Sequence, residues 1–188
     1  MRVNIVGTSG SGKTTFGRQL AEILEVPFIE MDAIYWGPDW SFLEDEHLFQ
    51  ALSQALEGED WVLDGGYSRT IPIKWSRVQA VVWLDFSFPR TLFQAVTRAG
   101  TRLLRKEELW PGTGNRETLA KLFSKDSIVL WTITSYARKR RKLSEVMEST
   151  EFRHITFHRL RSPLQAEVFL RKAKEQPEIL INRPAAKG

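Results

Sequence analysis

The chain of 188 residues contains no cysteine, which excludes disulfides and thiolate metal centres. It has no apolar run near the roughly 18 residues that a membrane-spanning helix needs. Its start, MRVNIVGTSG, lacks a basic segment followed by a long apolar one, so a cytoplasmic protein without membrane association is expected. Histidine is scarce, and His47, His154 and His158 show no metal-ligand spacing. There is no internal repeat and no low-complexity tract. Neither sign of charge dominates: 27 Lys and Arg stand against 23 Asp and Glu, a net charge of +4. That excess is modest for a nucleic-acid binder and equally expected of an enzyme that gathers arginines around polyphosphate. With 42% hydrophobic residues, the chain can cover a central sheet on both faces.

What the chain does have is GTSGSGKT from Gly7 to Thr14, a complete G-x-x-x-x-G-K-[ST] phosphate loop. It follows the β-rich residues Val3, Ile5 and Val6 and opens a helical pattern at Thr14. The backbone amides of Gly7, Thr8, Ser9, Gly10, Ser11, Gly12, Lys13, Thr14 and Thr15 would form a nest for phosphate oxygens. Lys13 would reach the β- and γ-phosphates as a mobile point charge, and the Thr14 hydroxyl would ligate Mg²⁺. ATP and Mg²⁺ are the expected cofactors.

Strand-like and helix-like patterns alternate beyond the loop. Strands are predicted at Pro27–Met31, Trp61–Leu63, Val78–Leu84 and Arg153–Phe157. Helices are predicted at Leu43–Leu56, Pro89–Arg105, Arg116–Glu148, which Asn115 could cap, and Ser162–Lys174. Alternating βα units predict an α/β P-loop fold: a five-stranded parallel sheet with helices on both faces and the ligand at the carboxyl ends of the strands. One domain is expected over residues 1–174, with a short lid at about 106–117 and a frayed tail at 175–188.

Phosphoryl transfer also needs a metal-side acid. Asp64 and Asp85 both end hydrophobic runs, and either could instead cap a strand end. Asp64 is preferred because Gly65-Gly66 lets the backbone approach a ligand and Arg69 lies nearby.

The segment WVLDGGYSRT resembles the D-G-x-x-R-T segment that ends the third strand of adenylate kinases, with Asp64 and Arg69 on matching positions and Tyr67-Ser68 where that family carries Phe-Pro. MDAIYWGPDW, LDGGY, Arg98 with Arg102, and WPGTGNRE make the chain more similar to the small adenylate-kinase-related proteins named topology modulation proteins. The resemblance implies the fold and the ATP site. It also implies that Arg98 and Arg102, on one helix face with Arg105, clamp the transferred phosphoryl group as arginines entering a lid, and that Gly112 and Gly114 let the lid close.

Asp32 follows the second strand, where small-molecule kinases with a similar phosphate loop set an acid against the acceptor hydroxyl; the alternative is a cap or turn aspartate. Tyr35, Trp36, Gly65, Tyr67 and Arg69 are the further acceptor-side candidates. Tyr35, Trp36, Trp40 and Phe42 could stack an acceptor or close a small core. Arg138 to Lys142 form the densest charge run, from which Arg138 is expected to complete the phosphate clamp. The expected function is transfer of the ATP γ-phosphate to a small hydroxyl- or phosphate-bearing acceptor. The alternative is a nucleotide-dependent regulator that binds DNA or a protein through the basic helix; no helix-turn-helix, zinc-finger or homeodomain signature supports direct DNA contact.

Overall fold

In the computed structural model, residues 1–105, 108–118 and 127–182 are described. Five strands, β1 (Arg2–Gly7), β2 (Phe28–Glu30), β3 (Trp61–Asp64), β4 (Ala80–Leu84) and β5 (Thr156–Leu160), form one sheet in the order β2-β3-β1-β4-β5. All neighbours run parallel. β1 lies at the centre, and its register places Ile5 beside Asp64 and Gly7 beside Leu84. The phosphate loop therefore leaves the sheet between the ends of β3 and β4, at the switch point where α/β folds bind ligands.

The helices among the described residues are α1 (Lys13–Leu24), α2 (Met31–Tyr35), α3 (Asp45–Ala55), α4 (Ile71–Lys74), α5 (Phe88–Arg105), α6 (Ile128–Glu148) and α7 (Pro163–Glu175). Side chains alternate along the strands with period two, so the sheet feeds two cores. Val3, Ile5, Val62 and Val82 pack on Phe16 and Leu20 of α1 and Phe169 and Ala173 of α7. Val6, Leu63, Val81 and Trp83 pack on Leu48 and Leu52 of α3, Trp75, and Leu143 and Val146 of α6.

Three expectations need correction. The last strand starts at Thr156, because a turn over Thr150–Phe152 precedes it and its buried positions include Thr156 and His158, which do not read as apolar. Asn115 does not cap a helix: Ser127 caps α6 by accepting from the Leu130 amide at 3.0 Å, and Asn115 does something else, described below. The part of the expected helix over residues 119–126 lies outside the described residues. The tail does not fray at Glu175. Leu180 is fully buried in the core, its carbonyl is 2.9 Å from His158 Nε2, and the Ile181 carbonyl accepts from Thr156 Oγ1 at 2.9 Å. Residues 183–188 lie outside the described residues.

Candidate functional site

The first bond within α1 runs from the Phe16 amide to the Gly12 carbonyl, so the amides of Lys13, Thr14 and Thr15 open toward the loop. Gly10 is required twice over. Its φ is 85°, and a β-carbon there would come within 2.7 Å of the Thr91 carbonyl oxygen on α5. Lys13 Nζ folds back to the Thr8 carbonyl at 3.2 Å. Thr8, Gly10 and Ser11 are buried, Gly7, Ser9, Gly12, Lys13 and Thr14 are half-buried, and Thr15 is exposed.

The two aspartates at the strand ends have different surroundings. Asp64 Oδ2 accepts from Thr14 Oγ1 at 2.6 Å, while its Oδ1 is buried with no hydrogen-bond partner. Burial pushes the Asp64 pKa up, opposed by the Lys13 charge and the Thr14 hydroxyl. Asp85 is only 2% exposed at its side chain and is saturated: Arg140 Nε lies 2.8 Å from Oδ1 and Arg159 donates through Nε and a terminal nitrogen at 2.8 and 2.7 Å to Oδ2. Magnesium is held by one or two protein oxygens together with phosphates and water. The Thr14 hydroxyl and an Asp64 carboxylate with one unbonded buried oxygen suit that donor set, whereas Asp85 has none to give. Among the described residues no cluster of three or more His, Cys, Asp or Glu could cage a metal alone.

Asp32 stands in the first turn of α2 and accepts from the Tyr67 phenol at 2.7 Å. Burial and the Asp32 charge push the Tyr67 phenol well above its ordinary pKa, so it remains a donor. Arg98 on α5 is close enough to Asp32 and Asp64 to feel both charges. Burial and the neighbouring Arg102 hold its pKa below the usual value. Arg98 and Arg102 are half-buried and Arg105 is exposed.

Gly65 has no room for a β-carbon, which would run into Met31, so the chain passes close under α2. Arg69 forms an ion pair with Asp45 of α3 at 2.7 Å and stacks over Tyr35 at 5.1 Å. Asp64 and Arg69 are separated by one residue more than D-G-x-x-R-T allows, and the fold sends Asp64 to the phosphate loop and Arg69 to Asp45.

The aromatic residues pack on one another. Tyr35 stacks on Phe42 at 5.7 Å and meets Tyr67 at 4.9 Å, and Trp36 stacks on Trp110 at 6.0 Å. Trp110 comes from a tight turn closed by an isolated antiparallel backbone pairing of Glu108 with Arg116. Asn115 fastens that turn to the loop after α2: its Oδ1 accepts from the Trp40 amide at 2.9 Å and its Nδ2 donates to the Gly37 carbonyl at 2.8 Å. These bonds hold a strained stretch in which Asp39 and Trp40 have φ of 54° and 59°. The segment 106–117, read above as a lid, is thus described from Glu108 and docks on the loop after α2; Lys106 and Glu107 lie outside the described residues.

Within the basic run the partners are distributed differently from the expectation. Arg138 is exposed, with its guanidinium 5.9 Å from the Trp131 ring. Lys139 is half-buried; burial and the Lys13 charge lower its pKa to about 8, while Asp32 pulls the other way. Lys139 therefore shares the electrostatic environment of the phosphate loop, and Arg140 is tied to Asp85. Sequence reasoning did not single out Asn4 or Lys74, gave Trp110 no role and read Asn115 as a helix cap. A buried lysine or asparagine carries no periodic signal that separates it from a surface one.

A family model described as shikimate kinase matches residues 9–36, which hold most of the phosphate loop, α1, β2 and Asp32. No curated protein matches the sequence. The fold is similar to solved shikimate kinases. The enzyme from Bacteroides thetaiotaomicron is 16% identical, with 95% of this chain and 98% of that one covered and a TM-score of 0.53. That from Aquifex aeolicus is 16% identical, with coverage of 95% and 96% and a TM-score of 0.54. That from Acinetobacter baumannii, solved in complex with shikimate, is 18% identical, with coverage of 95% and 92% and a TM-score of 0.52. At such identities the likeness establishes the P-loop α/β fold of nucleotide-kinase type. No helix among the described residues is long and apolar enough to cross a membrane.

Proposed function

We propose that the protein transfers the γ-phosphoryl group of ATP to a small hydroxyl- or phosphate-bearing acceptor, and that it belongs with the topology modulation proteins among adenylate-kinase relatives. The observation that carries this reading is the pairing of Thr14 with Asp64, whose second oxygen is buried and unbonded beside the phosphate loop. Thr14 and Asp64 would hold magnesium there, and the ion would supply neutralisation of the charge on the transferred phosphate.

The remaining work falls to the chain itself. The loop amides and Lys13 hold the phosphates. Asp32, aimed by the Tyr67 phenol, orients a hydroxyl acceptor and accepts its proton as the acceptor oxygen bonds to the γ-phosphorus and the bond to the bridging oxygen of ADP breaks. Arg98 and Arg102 face the charge that develops on the equatorial oxygens. Lys139 takes the place that Arg138 was expected to fill, since it couples to Lys13 and Asp32. Gly65, Gly66 and Tyr67 line the acceptor side, with Tyr35 and Trp36 as its outer wall. The docked turn carrying Trp110 excludes water. The regulator reading loses support, because Arg140 is committed to Asp85 and is not free for a phosphate backbone.

The test is a screen of nucleosides, nucleotides and small hydroxy-metabolites with acceptor-dependent ATP loss as readout, run beside Asp32→Asn. Transfer to one chemical class, lowered by about 10² or more in Asp32→Asn with ATP affinity retained, is the expected result. Equal turnover in Asp32→Asn, or ATP loss that no acceptor accelerates, would overturn it.

A further inference from the structure

Lys74 ends α4 and is 1% exposed, yet it has no carboxylate within ion-pair distance among the described residues. Its Nζ donates to the Gly65 carbonyl at 3.1 Å and to the Tyr67 carbonyl at 3.2 Å. Both carbonyls already have other donors. Asn4 Nδ2 reaches Gly65 at 3.1 Å, and Asn4 is itself held by Trp75 Nε1 at 2.9 Å. Thr70 Oγ1 reaches Tyr67 at 2.8 Å. Lys74 is thus not needed to satisfy the loop's polar groups. It is the group that ties the two carbonyls to one point on α4.

Burying an amine that has carbonyls but no carboxylate as partners carries a desolvation cost, whereas methionine would fill the same volume with no such penalty. A purely structural role is therefore a poor account of lysine at this position. The loop that Lys74 holds carries, at one end, the backbone leaving Asp64 and, at the other, the phenol that hydrogen-bonds Asp32. Lys74 also lines a cavity of about 80 Å³ that extends to Gly7 and Thr8 of the phosphate loop and to Lys139.

We infer that Lys74 is a positioning residue: by gripping the Gly65 and Tyr67 carbonyls it fixes the loop after β3 so that the Tyr67 phenol meets Asp32 and the Gly66 backbone faces the acceptor. This rests on the transfer reaction proposed above. The grip works with Nζ charged or neutral, since an amine keeps two N–H donors for two carbonyls.

The experiment compares the parent with Lys74→Met, Tyr67→Phe and the double variant by amide exchange, ATP calorimetry and turnover with the acceptor found in the screen. In Lys74→Met, the amides from Gly65 to Thr70 should exchange about tenfold faster or more, while those of β1 and β4 keep their protection. ATP affinity should stay within about twofold and kcat should fall by about 10². Because Lys74 acts through Tyr67, the double variant should lose little more than the worse single one. Should Lys74→Met fail to fold, Lys74→Gln keeps an N–H donor at the site and should show the same pattern more weakly. Unchanged loop exchange, additive losses, or full transfer by Lys74→Met in an active parent would overturn the assignment to Lys74. A parent that transfers to no acceptor would instead overturn the transfer reading on which it rests.

Discussion

Asp64 and Asp85 lie on opposite sides of the central strand, one at the end of β3 and the other just past β4, and both are buried. Each follows a run of apolar residues. Asp85 is matched: Arg140 from α6 and Arg159 from β5 saturate the carboxylate, and the trio ties three parts of the chain together. On the Asp64 side charge is left over. One Asp64 oxygen has no hydrogen-bond partner, Lys74 donates only to carbonyls, and burial, with a neighbouring cation in each case, lowers the pKa values of Lys139 and Arg98. Matched charge holds a fold together, while unmatched buried charge is tolerated where a charged ligand completes it.

The most direct way to break this comparison is Asp64→Asn. Acceptor-dependent transfer should fall by about 10³ or more, as when a preorganised charge at a phosphoryl site is lost. Stability should hold or rise at neutral pH. Burial raises the folded pKa of Asp64 above its unfolded value, so the folded state binds more protons in the window between the two, and the ionised carboxylate weighs against folding above it. Steady-state turnover and thermal unfolding measured on one sample would decide, and a variant with near-parental turnover would erase the distinction between the two aspartates.

Asp85→Asn should do the opposite. Removing the carboxylate strands two arginines, which keep 44% and 29% exposure and can partly rehydrate. The loss is therefore placed at about 2–3 kcal/mol, below that of a fully buried pair. At this chain length that lowers the melting temperature by roughly 6 °C, with ATP affinity within about threefold of the parent. A loss of ATP binding without a change in melting temperature would reverse the roles.

The most gradual effect concerns pH. Burial lowers the Lys74 pKa from the ordinary lysine range to about 7. Between that value and the unfolded one near 10.5, the unfolded chain binds more protons, so stability should rise with pH from about 7 to 9. The slope from one such group is at most about 1.4 kcal/mol per pH unit. Lys139 adds to it in the same direction from about 8. Denaturant midpoints across this range should flatten in Lys74→Met. An unchanged slope would remove Lys74 from the unmatched charges.

Much of the fold could be read in the chain because it depends on short-range rules. The phosphate loop declares itself by glycines, a lysine and a hydroxyl at fixed offsets. The apolar runs of β3 and β4 mark a buried parallel sheet, and the preference for Asp64 rested on the glycines that follow it. The aromatic loop was read with two outcomes open, and in the structure Trp36 and Trp40 close against Trp110, a partner about seventy residues away that no local pattern links to them. Asn115 was misread for the same reason. Its neighbours in sequence suggest a helix cap, while its hydrogen-bond partners lie at Gly37 and Trp40.

The sequence by itself determined that a phosphate-binding loop joins a strand to a helix, that parallel βα units surround it, and that acids and arginines of the right kind follow, because propensity, periodicity and glycine conformation act over a few residues. Only the tertiary structure decided which aspartate keeps an unbonded oxygen, which cation of the basic run feels the Lys13 charge, and where Lys74 finds its acceptors. Those outcomes depend on desolvation and on partners that the sheet order brings together from distant parts of the chain, and the energy of a buried charge is set by what surrounds it in space.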